Sequence, residues 1–164
     1  MVAHSAINHA GIAGIAGITF ARKTADQAST STSLADVTGL TFAVSASTNY
    51  RFRFVVFFVT SAAGEGLGLS VNGPSGTYKL GGLLPAAAPN AAGSAIFHSS
   101  GAAADSGFLV ATAGPGATST MAIIEGVALI GGAGGTLALR LKAETGGANS
   151  VTVQANSYGE ISTF

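Results

Sequence analysis

Apolar residues alternate with polar or small residues along much of this chain, and this period of two is the feature that most constrains its fold. Leu40, Phe42 and Val44 alternate with Thr41 and Ala43. The same pattern recurs at residues 50–58, 67–71, 77–84, 120–130, 137–141 and 151–155, with shorter strands expected at 94–98, 107–113 and 158–164. Alternation of this kind indicates β-strands with one buried face, and no segment shows a sustained helical pattern.

Glycine, proline, asparagine and serine separate these segments, as expected of strands joined by short turns. The sequence therefore predicts an all-β protein, a jelly-roll-like sandwich of two sheets with about eight to ten strands. Residues 36–39 (DVTG) have the pattern of a turn, with Asp36 first and Gly39 fourth. The pair Gly81 and Gly82 predicts a β-bulge within its strand.

The first 22 residues differ from the rest and predict an extended Gly/Ile-rich arm, which leaves residues 23–164 as the sandwich domain. Residues 11–18 read GIAGIAGI, a repeat of three residues. Glycine at this density disfavours a helix, while the isoleucines favour burial against another surface. We expect the arm to bind an assembly partner through its apolar side chains and one histidine: Ile7, His9, Ile12, Ile15 and Ile18.

The predicted strand over residues 49–60 has apolar residues on both faces near its end. One face carries Tyr50 to Phe58 at alternate positions, and the other continues from Arg51 and Arg53 to Val55, Phe57 and Val59. A sandwich strand normally has one dry face. Either a loop or arm of the same chain, or a neighbouring subunit, is expected to cover Val55, Phe57 and Val59.

Charge content is low and balanced: charged residues make up 9% of the 164 residues, seven of each sign. An ordinary soluble domain has about 25%. A nucleic-acid groove or an anionic membrane surface needs an excess of basic residues, so neither is expected as a partner. Low net charge favours association, which predicts a homo-oligomer; a monomer with a Ser/Thr-rich surface is the alternative.

The sequence offers no set of catalytic or metal-binding residues. There is no cysteine, the histidines are only His4, His9 and His98, and no serine lies in a nucleophile-elbow motif. The glycine-rich stretches lack the Lys-Ser/Thr of a phosphate loop. We therefore expect no enzyme activity, no cofactor and no metal. Glu125 interrupts an apolar strand and is expected to face solvent or pair with an arginine at a bulge.

Four segments carry a resemblance to a known class of proteins: residues 34–42 (LADVTGLTF), 50–54 (YRFRF), 66–74 (GLGLSVNGP) and 123–126 (IIEG). Together they resemble small β-sandwich proteins on the virion surface of tailed bacteriophages, which serve as capsid decoration (cement) proteins, head fibres or tail-fibre modules. The resemblance spans residues 26–164 and rests on turns and strand starts. It implies a non-enzymatic structural protein of the virion, often a trimer.

Within that resemblance we expect a decoration protein on the outer surface of the capsid, made in the host cytoplasm and bound through its arm to the major capsid protein or another virion protein. The alternative is a head-fibre or tail-fibre module for host recognition, which would need exposed aromatic residues such as Tyr78, Phe97 or Phe108 for stacking on sugars. A secreted adhesin is disfavoured because the N-terminus lacks the basic start and unbroken apolar run of a signal peptide.

Overall fold

The computed structural model describes residues 17–84 and 114–164 in full, together with the backbone of residue 85 and of residues 95–100. Ile7, His9, Ile12 and Ile15 of the predicted interface lie outside these residues, as do the strand expected at 107–113 and the aromatic ring of Phe108.

All regular structure in the described residues is β, as the alternation predicts, and these residues contain no helix that could span a membrane. The described residues form eleven strands: β1 (Thr19–Arg22), β2 (Gln27–Ser29), β3 (Ala35–Val44), β4 (Asn49–Thr60), β5 (Leu67–Asn72), β6 (Gly76–Pro85), β7 (Ala95–Ser100), β8 (Thr120–Ile130), β9 (Gly135–Ala143), β10 (Val151–Val153) and β11 (Tyr158–Thr163).

The strands form two antiparallel sheets, so the predicted two-sheet sandwich is confirmed. The large sheet has the order β1-β11-β4-β8-β6-β7, and β10 extends it by pairing with both β4 and β2. The small sheet has the order β3-β9-β5. Strands β10 and β11 lie one after the other along the same edge of β4, and Asn156, with a left-handed φ of 69°, lies in the short connection between them.

The core lies between the two sheets and comes from the alternate residues that the sequence pattern identifies. Strand β4 contributes Phe52, Phe54, Val56 and Phe58, all at most 3% exposed. Strands β3, β5 and β9 of the small sheet face them with Leu40, Phe42, Val44, Leu67, Leu69, Val71, Leu137, Leu139 and Leu141. Burying one such side chain contributes about 1.5–3 kcal/mol of transfer free energy.

The turn expected at residues 36–39 is wrong, because these residues lie inside β3. The pairing of β3 with β9 shifts register between Asp36 and Thr41, and Gly39 takes a φ of +83° there. Five steps along β3 face two steps along β9, so β3 carries three extra residues, and a glycine with positive φ accommodates such an irregular bulge. The side chain of Gln27 accepts a hydrogen bond from Thr38 N (2.8 Å) and donates one to Asp36 O (3.0 Å), so the backbone groups freed by the bulge keep partners.

The bulge expected at Gly81 and Gly82 is also wrong, since β6 and β8 pair without a shift from Gly76 to Leu83. Lack of space explains why residue 82 is a glycine, since a Cβ on Gly82 would lie 3.0 Å from Ile123 O. Glycine here permits close approach of two backbones in a regular ladder. At the other edge of this sheet, the last residues of the predicted arm, Thr19 to Arg22, pair with β11 as β1.

Candidate assembly interface

The outer face of the large sheet, which points away from the small sheet, carries the exposed apolar residues of the described chain. Strand register places Phe20 opposite Glu160, Met121 opposite Phe57, and Leu83 opposite Ile123, all on this face. Ile18, just before β1, and Phe164, just after β11, are an even number of residues from Phe20 and Glu160 respectively, which places them on the same face. These five residues, Ile18, Phe20, Leu83, Met121 and Phe164, are 43–69% exposed and are the exposed large apolar residues found within the described residues.

The outer face of the small sheet is different in kind. It carries Thr41 and Ala43 of β3 and the long polar side chains Arg140 and Lys142 of β9. Arg140 Nη2 donates to Leu34 O (2.7 Å), and its Nε lies 3.1 Å from an Asp36 carboxylate oxygen. The two outer faces are therefore unequal, and the apolar one is the candidate interface.

Three of the residues predicted from the sequence lie together on this apolar face. Val55 lies between Ile123 of β8 and Tyr158 of β11 and is only 3% exposed, so its own chain covers it. Phe57 and Val59 are half-buried, and Phe57 has the exposed Met121 beside it. Val55 is thus buried between neighbouring strands of its own sheet, while Phe57 remains partly open, and a subunit over Phe57 and Val59 stays a prediction.

A row of charged residues crosses the same face next to Val55 and Phe57. Arg53 lies in register between Glu160 of β11 and Glu125 of β8, and its Nε is 3.7 Å from a Glu125 carboxylate oxygen. Glu125 is thus exposed and paired with an arginine as expected, but no bulge accompanies it, since β8 pairs regularly with β4. Arg51 Nε donates to Ser162 Oγ at 2.7 Å.

These two arginines border a shallow groove of about 440 Å³ on the outer face. Its side-chain lining includes the apolar Ile18 and Val127 and four charged groups, Arg51, Arg53, Glu125 and Glu160. Ile18, predicted as an arm contact, is therefore on the same face as Val55 and Phe57, two strands away from them. The groove combines apolar walls with hydrogen-bond donors and acceptors and has no net charge.

Sequence reasoning missed a buried carboxylate at Glu65. Its side chain is fully buried and accepts hydrogen bonds from Glu144 N (2.6 Å), Thr145 N (3.0 Å), Gly146 N (3.2 Å) and Thr145 Oγ1. Burial raises the pKa of this carboxyl, but the hydrogen bonds outweigh it and leave the pKa of Glu65 below its usual value. The pattern Glu-Thr-Gly-Gly at 144–147, with two left-handed glycines, was the available signal for an anion-binding turn.

The other candidate functional groups within the described residues do not form a binding or metal site. Tyr78, considered for sugar stacking, is 1% exposed and donates to Pro74 O at 2.6 Å, so that role is wrong for it. Burial also raises the pKa of Tyr78. Within the described ranges, no three histidine, aspartate or glutamate side chains come together as a metal site would require.

Comparisons with known proteins give only weak matches, to solved structures of a virus. No protein-family model and no curated protein matches the chain. Among solved structures, it is similar to that of infectious bursal disease virus, Gt strain, with 12% identity and a TM-score of 0.26 over 92% of this chain and 38% of that one. The VP2 subviral particle of the same virus gives 9% identity and a TM-score of 0.26 over 99% of this chain and 44% of that one.

The chain thus spans about two fifths of the length of these viral structures. Similarity this low carries no argument about function, so the functional conclusion rests on the chain's own residues.

Proposed function

We propose that this chain is a non-enzymatic structural protein of a bacteriophage virion, a capsid decoration protein that self-associates and attaches through its N-terminal arm. The observation that supports assembly is the outer face of the large sheet, which carries the exposed large apolar side chains of the described residues. Exposed apolar patches on a soluble protein mark interaction sites. The virion assignment itself rests on the sequence resemblance.

The four segments that carry the resemblance lie in both sheets of the structure. Residues 34–42 and 66–74 contribute β3 and β5 of the small sheet, and residues 50–54 and 123–126 lie in β4 and β8 of the large one. The shared motifs therefore supply strands to both layers of a sandwich.

Self-association on this face involves the half-buried Phe57 and the exposed Met121, which are side by side. Burying such side chains against a second copy contributes about 1.5–3 kcal/mol each before the costs of association. We propose a trimer, because three arms give avidity that one arm lacks. Ordering one arm costs about 1–2 kcal/mol per residue, which over about 18 residues exceeds the roughly 6–12 kcal/mol that burial of its four isoleucines contributes, so a lone arm binds weakly.

The test uses particles of the phage that encodes the chain. A variant lacking residues 1–16 keeps Ile18 and β1, so we expect it to fold but to be lost from purified particles. Particles without the protein should rupture at lower temperature or smaller osmotic shock than those with it. Identical rupture of the two populations contradicts a decoration role, and full occupancy by the shortened variant contradicts attachment through the arm.

A head-fibre or tail-fibre module for host recognition is the second candidate function. The exposure of Phe20 (66%) and Phe164 (69%) favours it, because both rings are open for stacking on sugars. Binding of the purified chain to host-surface glycans, abolished by Phe20→Ala and Phe164→Ala together, would support this function over decoration.

A further inference from the structure

The groove on the outer face lies where the described chain begins. Ile18, which lines it, is the last isoleucine of the repeat at residues 11–18. One wall of the groove is therefore an isoleucine, the residue that recurs at every third position in residues 11–18.

The chemistry of the groove fits a neutral, small-residue peptide. Its two arginines and two glutamates sum to zero charge, and residues 11–16 contain no charged side chain. Glycine and alanine let a peptide backbone approach the sheet closely, and a glycine-rich backbone presents many unpaired N–H and C=O groups. Guanidinium groups of Arg51 and Arg53 donate to such carbonyls, and the carboxylates of Glu125 and Glu160 accept from such N–H groups.

The direction of the chain argues that this peptide comes from another copy. β1 is antiparallel to β11, with Thr19 opposite Ile161, so from Ile18 towards the N-terminus the chain heads for the end of the sheet beyond Thr163. At Ile18 the chain is therefore directed away from the groove, which is open to a neighbour.

We propose that residues 11–16 of a second copy lie in this groove, extended across the strands, with Ile12 and Ile15 against the apolar walls. Six extended residues reach about 20 Å. Three steps between neighbouring strands, from β1 over β11 and β4 to β8, cover about 14 Å, and these four strands carry or adjoin the residues that line the groove. Residues 1–10, with Ile7 and His9, remain available for the virion partner, so the exchange extends the proposed function without depending on it.

The absence of cysteine makes a cross-linking test direct. Full-length Ile15→Cys and full-length Val127→Cys, carrying different tags, are mixed and treated with a short bis-maleimide. We expect a linked pair containing one chain of each kind, identified by mass spectrometry of the joined peptides. Lys79→Cys, exposed and in register beside Val127 on β6, repeats the test at a position where substitution does not disturb packing.

The matched control replaces the groove cysteine with Thr41→Cys, exposed on the outer face of the small sheet. Several-fold higher yield with Val127→Cys and Lys79→Cys than with Thr41→Cys supports exchange. Exchange is overturned by equal yields, or by the absence of a link at both Val127→Cys and Lys79→Cys. Links found only within one chain of an Ile15→Cys/Val127→Cys double variant also overturn it. Because no particle is involved, this result is independent of the rupture assay.

Discussion

Glu65 gives the sharpest test of how the sandwich holds the turn at residues 144–147. Its carboxylate is fully buried and takes four hydrogen bonds from that turn. Replacing it with alanine leaves three backbone N–H groups and the Thr145 hydroxyl without their acceptor. A buried donor left unpaired costs about 1–3 kcal/mol.

Only the hydrogen bond from Gly146 N is buried, and Thr145 is exposed so that water can replace the lost acceptor, which gives an expected loss of about 2–3 kcal/mol for Glu65→Ala. This is a substantial part of the roughly 5–15 kcal/mol by which a domain of this kind is stable. Glu65→Gln keeps the shape and one acceptor oxygen but loses the charge, so we expect about half that loss. Glu144→Gln is the matched control, because burial and the nearby Glu65 carboxylate raise the pKa of Glu144. Neutralising Glu144 should leave stability unchanged or increase it.

The pH dependence of stability follows from the lowered pKa of Glu65. Its stabilising contribution is complete above the unfolded-state value of 4.5 and is lost as the pH falls through the lower folded-state pKa. Urea unfolding measured at neutral pH and at stepwise lower pH should show a loss in the wild type that Glu65→Gln lacks. Equal free energies of unfolding for Glu65→Ala and Glu144→Gln at neutral pH would refute the reasoning.

Two further predictions concern the large sheet. A Cβ on Gly126 would lie 2.1 Å from Lys79 O, so Gly126→Ala should lower the free energy of unfolding, measured by urea titration, by about 2 kcal/mol or more. The control Gly132→Ala, with open space around it, should change that free energy by less than about 0.5 kcal/mol. Similar values for both variants would contradict the close packing at Gly126. Phe57→Asp should abolish self-association in sedimentation because it places an unpaired charge in the interface, while Thr41→Asp should not; a wild type that sediments as a monomer contradicts the oligomer.

The sequence predicts the long strands well because their burial alternates. In β4 every second residue from Tyr50 to Phe58 is buried, and β8 has the predicted bounds of residues 120–130. Strand β2 has only three residues, too few for a period to show, and the sequence does not predict it. The alternation at residues 151–155 predicts β10, but it does not reveal that β10 pairs with both β2 and β4. The sequence predicts a turn where β3 has its bulge, because Asp and Gly favour both, and only the pairing with β9 separates the two.

The candidate interface was only partly accessible to the same reasoning. The two-faced pattern of β4 identified Val55, Phe57 and Val59 on one face, but the sequence does not reveal that β8 and β6 add Met121 and Leu83 beside them. Such cross-strand neighbours depend on strand order. The binding of Glu65 to a turn about 80 residues away has the same origin and no local signal at Glu65 itself.

The pairing of β1 with β11 also sets an order of events during synthesis. Thr19 finds its partner, Ile161, only when nearly the whole of this sequence has left the ribosome. Until then the edge of β4 that receives β10 and β11 is open, and long-range pairings of this kind form slowly and expose strand edges to wrong partners. The N-terminal segment therefore acquires a fixed point of attachment late, so assembly through it follows folding.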